Sequence, residues 1–414
     1  MSIWTPEWRV KINGIEYTNI TVANLSITSG RQDINTQPIA GYANLEILNL
    51  DKSAVTIDIN QGLTIAVKDS TNTYVNLFGG SITDFSIEIA SAGNTTYTQR
   101  IKVTALGALA RLPKATTLGI LSKDFDGDQI YSILSDILLN TWNEVSSAQT
   151  WIDYNPATTW AQAENQGMGE IDRPGQYELT SRSSSLTDAY SLISSLANSG
   201  LGYIYEDGSG NIGYADAIHR QNYLTANGFT VLSANDAIAT GIRIKKSVAT
   251  IKNKVTITYK ANATTSAQDD ESIANYGLLA ESLSTTLENS ADAATQATRY
   301  LQLRAYPRFE FDSMTFAIQN PELDNGDRDD LLNIFMGLPV NIVDLPLNML
   351  GGEFQGYIEG WTWNASVSGL YLTFFASPRE FSEVAQKWQD VSAAETWNSI
   401  LNTLEWQDAI GVIS

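Results

Sequence analysis

A chain of 414 residues with no cysteine and a single histidine excludes disulfides, thiolate metal sites, iron–sulfur clusters and cysteine nucleophiles, and lacks the usual choice of general base. Its net charge of −21 opposes attraction to nucleic-acid phosphates and to anionic membrane surfaces. Domains commonly run to about 100–200 residues, so two to four compact units are expected.

The acid is regional. Residues 1–123 carry ten basic and nine acidic side chains and residues 241–306 eight and six, whereas residues 124–240 and 307–414 each balance at −12. Such a field suits a solvated face or the wall of a channel. The start, MSIWTPEWRV, has no basic stretch leading into an apolar core. No apolar run approaches the roughly 20 residues that cross a bilayer, so neither a signal peptide nor membrane insertion is expected.

From Arg9 to Leu112 the apolar residues recur with period two, as in strands with one buried face: Val10/Ile12, Leu45/Ile47, Val55/Ile57/Ile59, Leu63/Ile65/Val67, Ile87/Ile89 and Ile101/Val103. Asn13-Gly14 signals a type I′ hairpin, and Asp69 to Asn72 and Ala92-Gly93-Asn94 supply further connections. Short strands at this density predict a small antiparallel barrel or sandwich.

The next section opens on an amphipathic helix, Asp128 to Asn140, with Ile130, Ile133, Leu134, Ile137 and Leu138 on one stripe. A second helix is expected from Ser185, burying Leu186, Ala189, Tyr190, Ile193 and Leu196 before Gly200. A hairpin follows, Leu201 to Tyr205 and Ile212 to Ala215 about the turn Asp207-Gly208-Ser209-Gly210. Strands return at Ile242 to Ile251 and Val255 to Tyr259. A helix from about Ser290 to Ala305 then presents Ala293, Ala294, Ala297 and Leu301 for close packing. Met314/Phe316/Ile318, Val340/Ile342, Tyr357 to Trp363 and Leu370 to Phe375 read as a second β unit. The fold class is therefore mainly β with an α+β insert. Four segments are expected: 1–112, a β-barrel that forms rings; 113–240, an α+β middle domain; 241–378, a helix and a second barrel; and 379–414, a tail.

Tryptophans mark an internal repeat. Trp142, Trp151 and Trp160 are spaced by nine, as are Trp388, Trp397 and Trp406, and WNEVSSAQTW matches WQDVSAAETW at Trp, Val, Ser, Ala and Thr. That spacing aligns three rings on neither a strand nor a helix, so each nonapeptide reads as a turn-plus-anchor unit. The anchors suit packing within the chain or a clasp between chains, and the C-terminal copy is the better candidate for the clasp.

Chemistry-bearing motifs are few. Asp124-Phe125-Asp126-Gly127-Asp128 has carboxylates at alternate positions, but its glycine comes too early for a calcium loop and no Glu closes twelve residues. Helix capping by Asp126 or Asp128 is the expectation, and likewise by Asp327 or Asp329 before Leu331 to Phe335. The lone His219 reads as a packed or surface residue. No nucleophile, phosphate-loop, zinc or dinucleotide motif occurs, so no catalytic, cofactor or metal residues are assigned and an enzyme is not expected.

ITSGRQDINTQPIAGYANLEILNLD at Ile27 to Asp51, LFGGSITDFSIEI at Leu77 to Ile89, VTALGALARL at Val103 to Leu112, LTDAYSLISSLANSGLGYIYEDGSGNIGYAD, and MGLPVNIVDLPLN with FQGYIEGWTWNASVSGLYLTFFASP resemble minor tail proteins of long-tailed bacteriophages, of the tail-tip or baseplate hub kind. The likeness reaches to about Pro378. It implies two related barrels per chain and a homotrimer forming a pseudo-sixfold ring in the virion tail tip. Implied partners are the tail tube or distal tail ring and a tip or fibre protein at the C-terminal tail, with DNA only as passing cargo. A glycan-binding receptor protein, using clustered Trp, Tyr and acids as a sugar platform, is the alternative, and a carboxylate glycosidase the third reading.

Overall fold

The computed structural model describes residues 4–17, 20–50, 54–92, 97–137, 168–238, 242–260, 262–367 and 369–382. The alternating N-terminal stretch forms seven strands: β1 (Trp8–Ile12), β2 (Ile15–Tyr17), β3 (Ile20–Gly30), β4 (Tyr42–Asn49), β5 (Gly62–Lys68), β6 (Tyr74–Ala92) and β7 (Tyr97–Gly107). Period two decides their faces. In β4, Ala43, Leu45 and Ile47 turn inward and are buried while Tyr42 and Asn44 face outward. Asn13 and Gly14 both take positive φ, 51° and 76°, and close the β1–β2 hairpin.

Every ladder in this unit is antiparallel, in the order β2-β1-β5-β6-β7-β4-β3. The sheet continues past β3. That strand pairs with Phe354–Ser366, which pairs with Gly369–Pro378, then Phe309–Ala317 and then Arg243–Lys246. Pro339–Val343 joins the first residues of Phe354–Ser366, and Thr230–Ser233 lies parallel beyond it. Thirteen strands thus make one sheet through both β units. Among the described residues no ladder runs from β2 back to β3, so closure of the first barrel is not written in its hydrogen bonds.

The middle of the chain builds a second core. Helices α1 (Asp126–Ser135) and α2 (Ala189–Ser199) pack together through Ile130, Ile133, Leu134, Ile193 and Leu196, against the hairpin Tyr203–Glu206 and Ile212–Ala215. Helix α3 (His219–Asn227) follows, then Lys254–Tyr259 flanked by Ala263–Gln268 and Ala280–Ser284, with α4 (Asp270–Tyr276) between those two. Helix α5 (Ser290–Arg304) lies on this small sheet and buries Ala293, Ala297 and Leu301 in the same core. Residues 254–304 therefore share the core of α1 and α2, whereas Thr230–Ser233 belongs to the large sheet; helix α6 (Asn325–Leu332) packs Leu331 and Leu332 into the core of that sheet.

Several local expectations are corrected. Residues 54–58 carry no strand, and Ile59 is 52% exposed: the apolar triplet follows strand period, but Asn60 at φ 69° turns the chain into β5. Helix α2 starts at Ala189, not Ser185, because Asp188 is the cap that accepts from Ser191 N at 2.8 Å; Leu186, ahead of it, is 71% exposed. The strand expected from Ile242 to Ile251 is only Arg243–Lys246, followed by a 3₁₀ turn. On α5, Ala294 faces solvent and Gln296 is the buried neighbour, donating to Ser199 O at 2.6 Å. Leu138 and the Gly93-Asn94 connection lie outside the described residues.

Strand Phe354–Ser366 is the pivot of the sheet. Up to Tyr357 it pairs with Pro339–Val343, and from Gly360 onward with β3. The register on its other side slips between Ile358 and Gly360, so Glu359 is the extra residue of a β-bulge at the point where the strand changes partner. The two backbones cross closely there: Gly30 stands opposite Gly360, and a Cβ on Gly30 would lie 2.3 Å from Glu359 O. Gly30 also has φ +80°, close to the +76° of Gly14, whose surroundings are open within 4 Å. Both positions cost an alanine about 1–2 kcal/mol for its left-handed backbone. Gly30→Ala is expected to destabilise by clearly more than Gly14→Ala in urea unfolding, the difference reporting the crossing; equal losses would contradict a close approach.

Candidate functional site: the junction of the β units

One carboxylate joins three parts of the chain. Glu359 is 3% exposed, and its Oε2 accepts from Arg31 Nε at 2.7 Å. Arg220, from α3, forks onto it, Nη1 to Oε1 at 2.6 Å and Nη2 to Oε2 at 3.0 Å, and Ser377 Oγ donates to Oε1 at 2.6 Å. Arg31 follows directly on β3, and its amide donates to Glu359 O at 2.8 Å, so backbone and side chain make the same connection. Tyr203 of the middle hairpin lies under both guanidiniums, 4.7 Å from Arg220 and 5.3 Å from Arg31. Burial pushes the Glu359 pKa up, but the two arginines outweigh it and hold the group at about 2. Arg31 is lowered by burial in spite of Glu359; Arg220 is raised, since Glu359 overcomes its burial.

A second tie joins the middle hairpin to the first β unit. Glu206 accepts from Leu109 N at 2.9 Å and from Gly41 N. A Cβ at Gly107 would fall 2.1 Å from its Oε1, so glycine is what lets the carboxylate reach the strand ends. Burial lifts Glu206 to about 7 against those two amide bonds.

The acids that sequence assigned to capping do other work. Phe125, not an aspartate, occupies the start of α1, and no side chain caps it. Asp126 instead points inward, fully buried, accepting from Gln176 N and Tyr177 N at 2.9 Å each and from Tyr214 Oη at 2.5 Å. Burial raises it to about 6. Helix α6 is capped by Asp324, which accepts from Asp327 N at 2.9 Å, while Asp329 reaches across to accept from Ser70 N at 2.9 Å. His219 is buried, as one of the two expected placements had it, with Nδ1 2.7 Å from Asp172 Oδ2. Nearby Glu170 is 6% exposed and raised to about 8, first by burial and then by Asp172. Among the described residues no group of three His, Cys, Asp or Glu side chains is placed to hold a metal ion. The anchors Trp142, Trp151, Trp160, Trp388, Trp397 and Trp406 all lie outside the described residues.

The regional acid also takes a place in space. Around α6, Asp236, Asp327 and Asp330 are raised by burial and then by neighbouring carboxylates, among them Glu322, Asp324 and Asp344. Sequence reasoning located this surplus but missed Arg31, Arg220, Glu359 and Glu206. A signal existed for one of them: Glu359 sits in YIEGWTW, a run too apolar to carry an acid without a buried cation.

Removing one side of a buried pair leaves charge uncompensated, so Glu359→Gln is expected to lose about 3–5 kcal/mol in urea unfolding; a loss under about 1 kcal/mol would demote the junction to a surface-like pair. The pH dependence follows from the same groups. Glu359, depressed to about 2 from 4.5, contributes stability that is complete above about pH 4.5 and is lost as pH falls toward 2. Asp126, Glu206 and Glu170, raised to about 6, 7 and 8, contribute stability that is complete below their ordinary values of 3.8, 4.5 and 4.5 and is lost as pH rises from there through the raised values. The melting temperature is therefore expected to peak between about pH 3.8 and 4.5 in a thermal scan and to fall as pH rises from there toward 8, and a maximum at or above pH 8 would refute the assignment.

No family model and no curated protein matches the chain. Solved structures do, two of them as follows. The tail protein from Neisseria meningitidis MC58 is similar with a TM-score of 0.58 and 12% identity, over 92% of this chain and 98% of that one. The 43 kDa tail protein of prophage MuSo2 from Shewanella oneidensis is similar with a TM-score of 0.51 and 13% identity, over 91% of this chain and 99% of that one. The resemblance to phage tail proteins is thus borne out at the level of the fold, which this chain shares with both along nearly its whole length.

Proposed function

We propose that the chain is a structural hub of a bacteriophage tail tip or baseplate. Three copies form a pseudo-sixfold ring in which each chain supplies two related β-barrels. The observation that carries this reading is the side-by-side union of the two β units through the β3 ladder to Phe354–Ser366. A protomer that contributes two positions to a ring needs its two units lateral and fixed, not strung like beads, and a shared ladder pinned by a buried charge cluster meets that need.

The ring docks on the tail tube or distal tail ring. The C-terminal segment 379–414, with its Trp anchors, engages a tip or fibre protein. The acids around α6 suit the wall of a passage for DNA, because like charge keeps phosphates sliding rather than bound. The fold shared with two tail proteins supports a role in the virion tail.

The test is the mass of the full chain in solution by light scattering. A particle of three times 45.3 kDa is expected; a monomer that persists at high concentration would count against the ring.

A further inference from the structure

Beside the Glu359 cluster lies a cavity of about 910 Å³, walled by all three parts of the chain. Its charge is unevenly matched. Lys245 faces Glu310 at 3.4 Å and Lys252 faces Glu281 at 2.8 Å, so those pairs are settled. Deeper in, three guanidiniums, Arg31, Arg220 and Arg304, lie around Glu359, to which only Arg31 and Arg220 bond, while Asp33 and Asp216 also line the wall without bonding Arg304.

Arg304 is the exception that calls for an anion. It is 7% exposed, at the end of α5, and among the described residues it has no carboxylate within salt-bridge reach. Its Nη1 donates only to carbonyls, Phe381 O at 2.9 Å and Leu303 O at 3.3 Å, and its Nε has no protein acceptor. The ring of Phe381 covers the guanidinium at 4.2 Å. The position at a helix C-terminus offsets part of the charge, since the carbonyl end of the helix is negative, but not the donor left over on Nε. Burial lowers its pKa to about 10, which still leaves it charged at neutral pH. Arg31 repels it, while Tyr300, Glu359 and Asp33 act at longer range in the opposite sense without supplying a bonded acceptor.

We propose that this cavity is a binding site for a small oxyanion, a phosphate or a carboxylate, held by the guanidinium of Arg304 with Arg31 and Arg220 supplying the surrounding positive field. The planar fork of arginine matches either oxyanion with two parallel hydrogen bonds. Because residues from β3's end, α3, α5 and Phe354–Ser366 meet there, an anion bound at this point stabilises the junction by mass action.

The experiment is equilibrium dialysis of the full chain against radiolabelled inorganic phosphate at fixed ionic strength, with citrate and chloride as competitors. Saturable binding of one anion per chain is expected, displaced by citrate and not by chloride. Displacement by citrate far below the phosphate concentration identifies the natural ligand as a carboxylate, and the reverse as a phosphate. Arg304→Gln is expected to weaken binding by about tenfold or more, the scale of one charge-assisted hydrogen bond. Arg304→Lys, which keeps the charge but loses the fork, serves if the glutamine variant does not fold, and is expected to bind several-fold more weakly. Arg100→Gln, which alters only a surface pair with Glu46, leaves binding unchanged. Absence of saturable binding in the parent chain, or undiminished binding in a folded Arg304 variant, overturns the proposal.

Discussion

Everything in the large sheet turns on the strand that carries Glu359. A buried carboxylate is costly to desolvate, and it is tolerated here because two guanidiniums and a hydroxyl saturate its oxygens. Its position is set by a β-bulge, which adds one residue where the strand leaves Pro339–Val343 and takes up β3. The bulge aims the side chain away from the ordinary pleat, toward α3 and the end of β3. Apolar residues in place of the whole cluster would pack as well, although removing one member alone strands the charge of the others. The cluster's value is directional: Arg31 and Arg220 fix which segments meet and in which register, a specificity that apolar contact alone leaves loose.

That specificity explains why the two β units behave as one body. An antiparallel ladder from Gly30 to Asn24 is flexible by itself, since sheets twist and bend. Locked at one end by the charge cluster and by the paired glycines, it becomes a rigid seam. The middle core reinforces it from the side. Tyr203 reaches the arginines and Glu206 reaches the ends of β4 and β7, so one short hairpin holds both the seam and the first unit.

How far the sequence revealed this depends on the range of the interaction. Period two in Leu45/Ile47, Leu63/Ile65/Val67 and Ile101/Val103 encodes strands because each residue alone carries its face, and those strands appear as expected. The same rule misreads Val55 to Ile59, where the alternation is present and, among the described residues, no strand pairs with it. Helix α2 fails by four residues for a local reason, Asp188 being the stronger cap than Ser185. The acids fail for a distant one. Asp126 and Asp329 look like caps beside a helix start, but their partners Tyr177, Tyr214 and Ser70 come from other parts of the chain, which spacing cannot encode. The junction is the extreme case, linking Arg31 to a residue 328 positions away.

The distribution of acid completes the logic. Two groups of carboxylates in this chain have contrasting chemistry. Those at the junctions, Glu359, Glu206 and Asp126, are withdrawn from water and each satisfied by named donors, so they serve internal order. Those around α6 remain near one another with pKa values raised by burial and mutual repulsion, a strain that folding bears and that packing does not need. A cluster of like charge retained at such a cost makes sense as an outward field. Because counterions screen it over about 8 Å at physiological salt, it acts only on what passes close to that surface. In the ring proposed above, a narrow passage bounded by several copies of the patch would be the geometry in which so short a field acts on a moving polyanion.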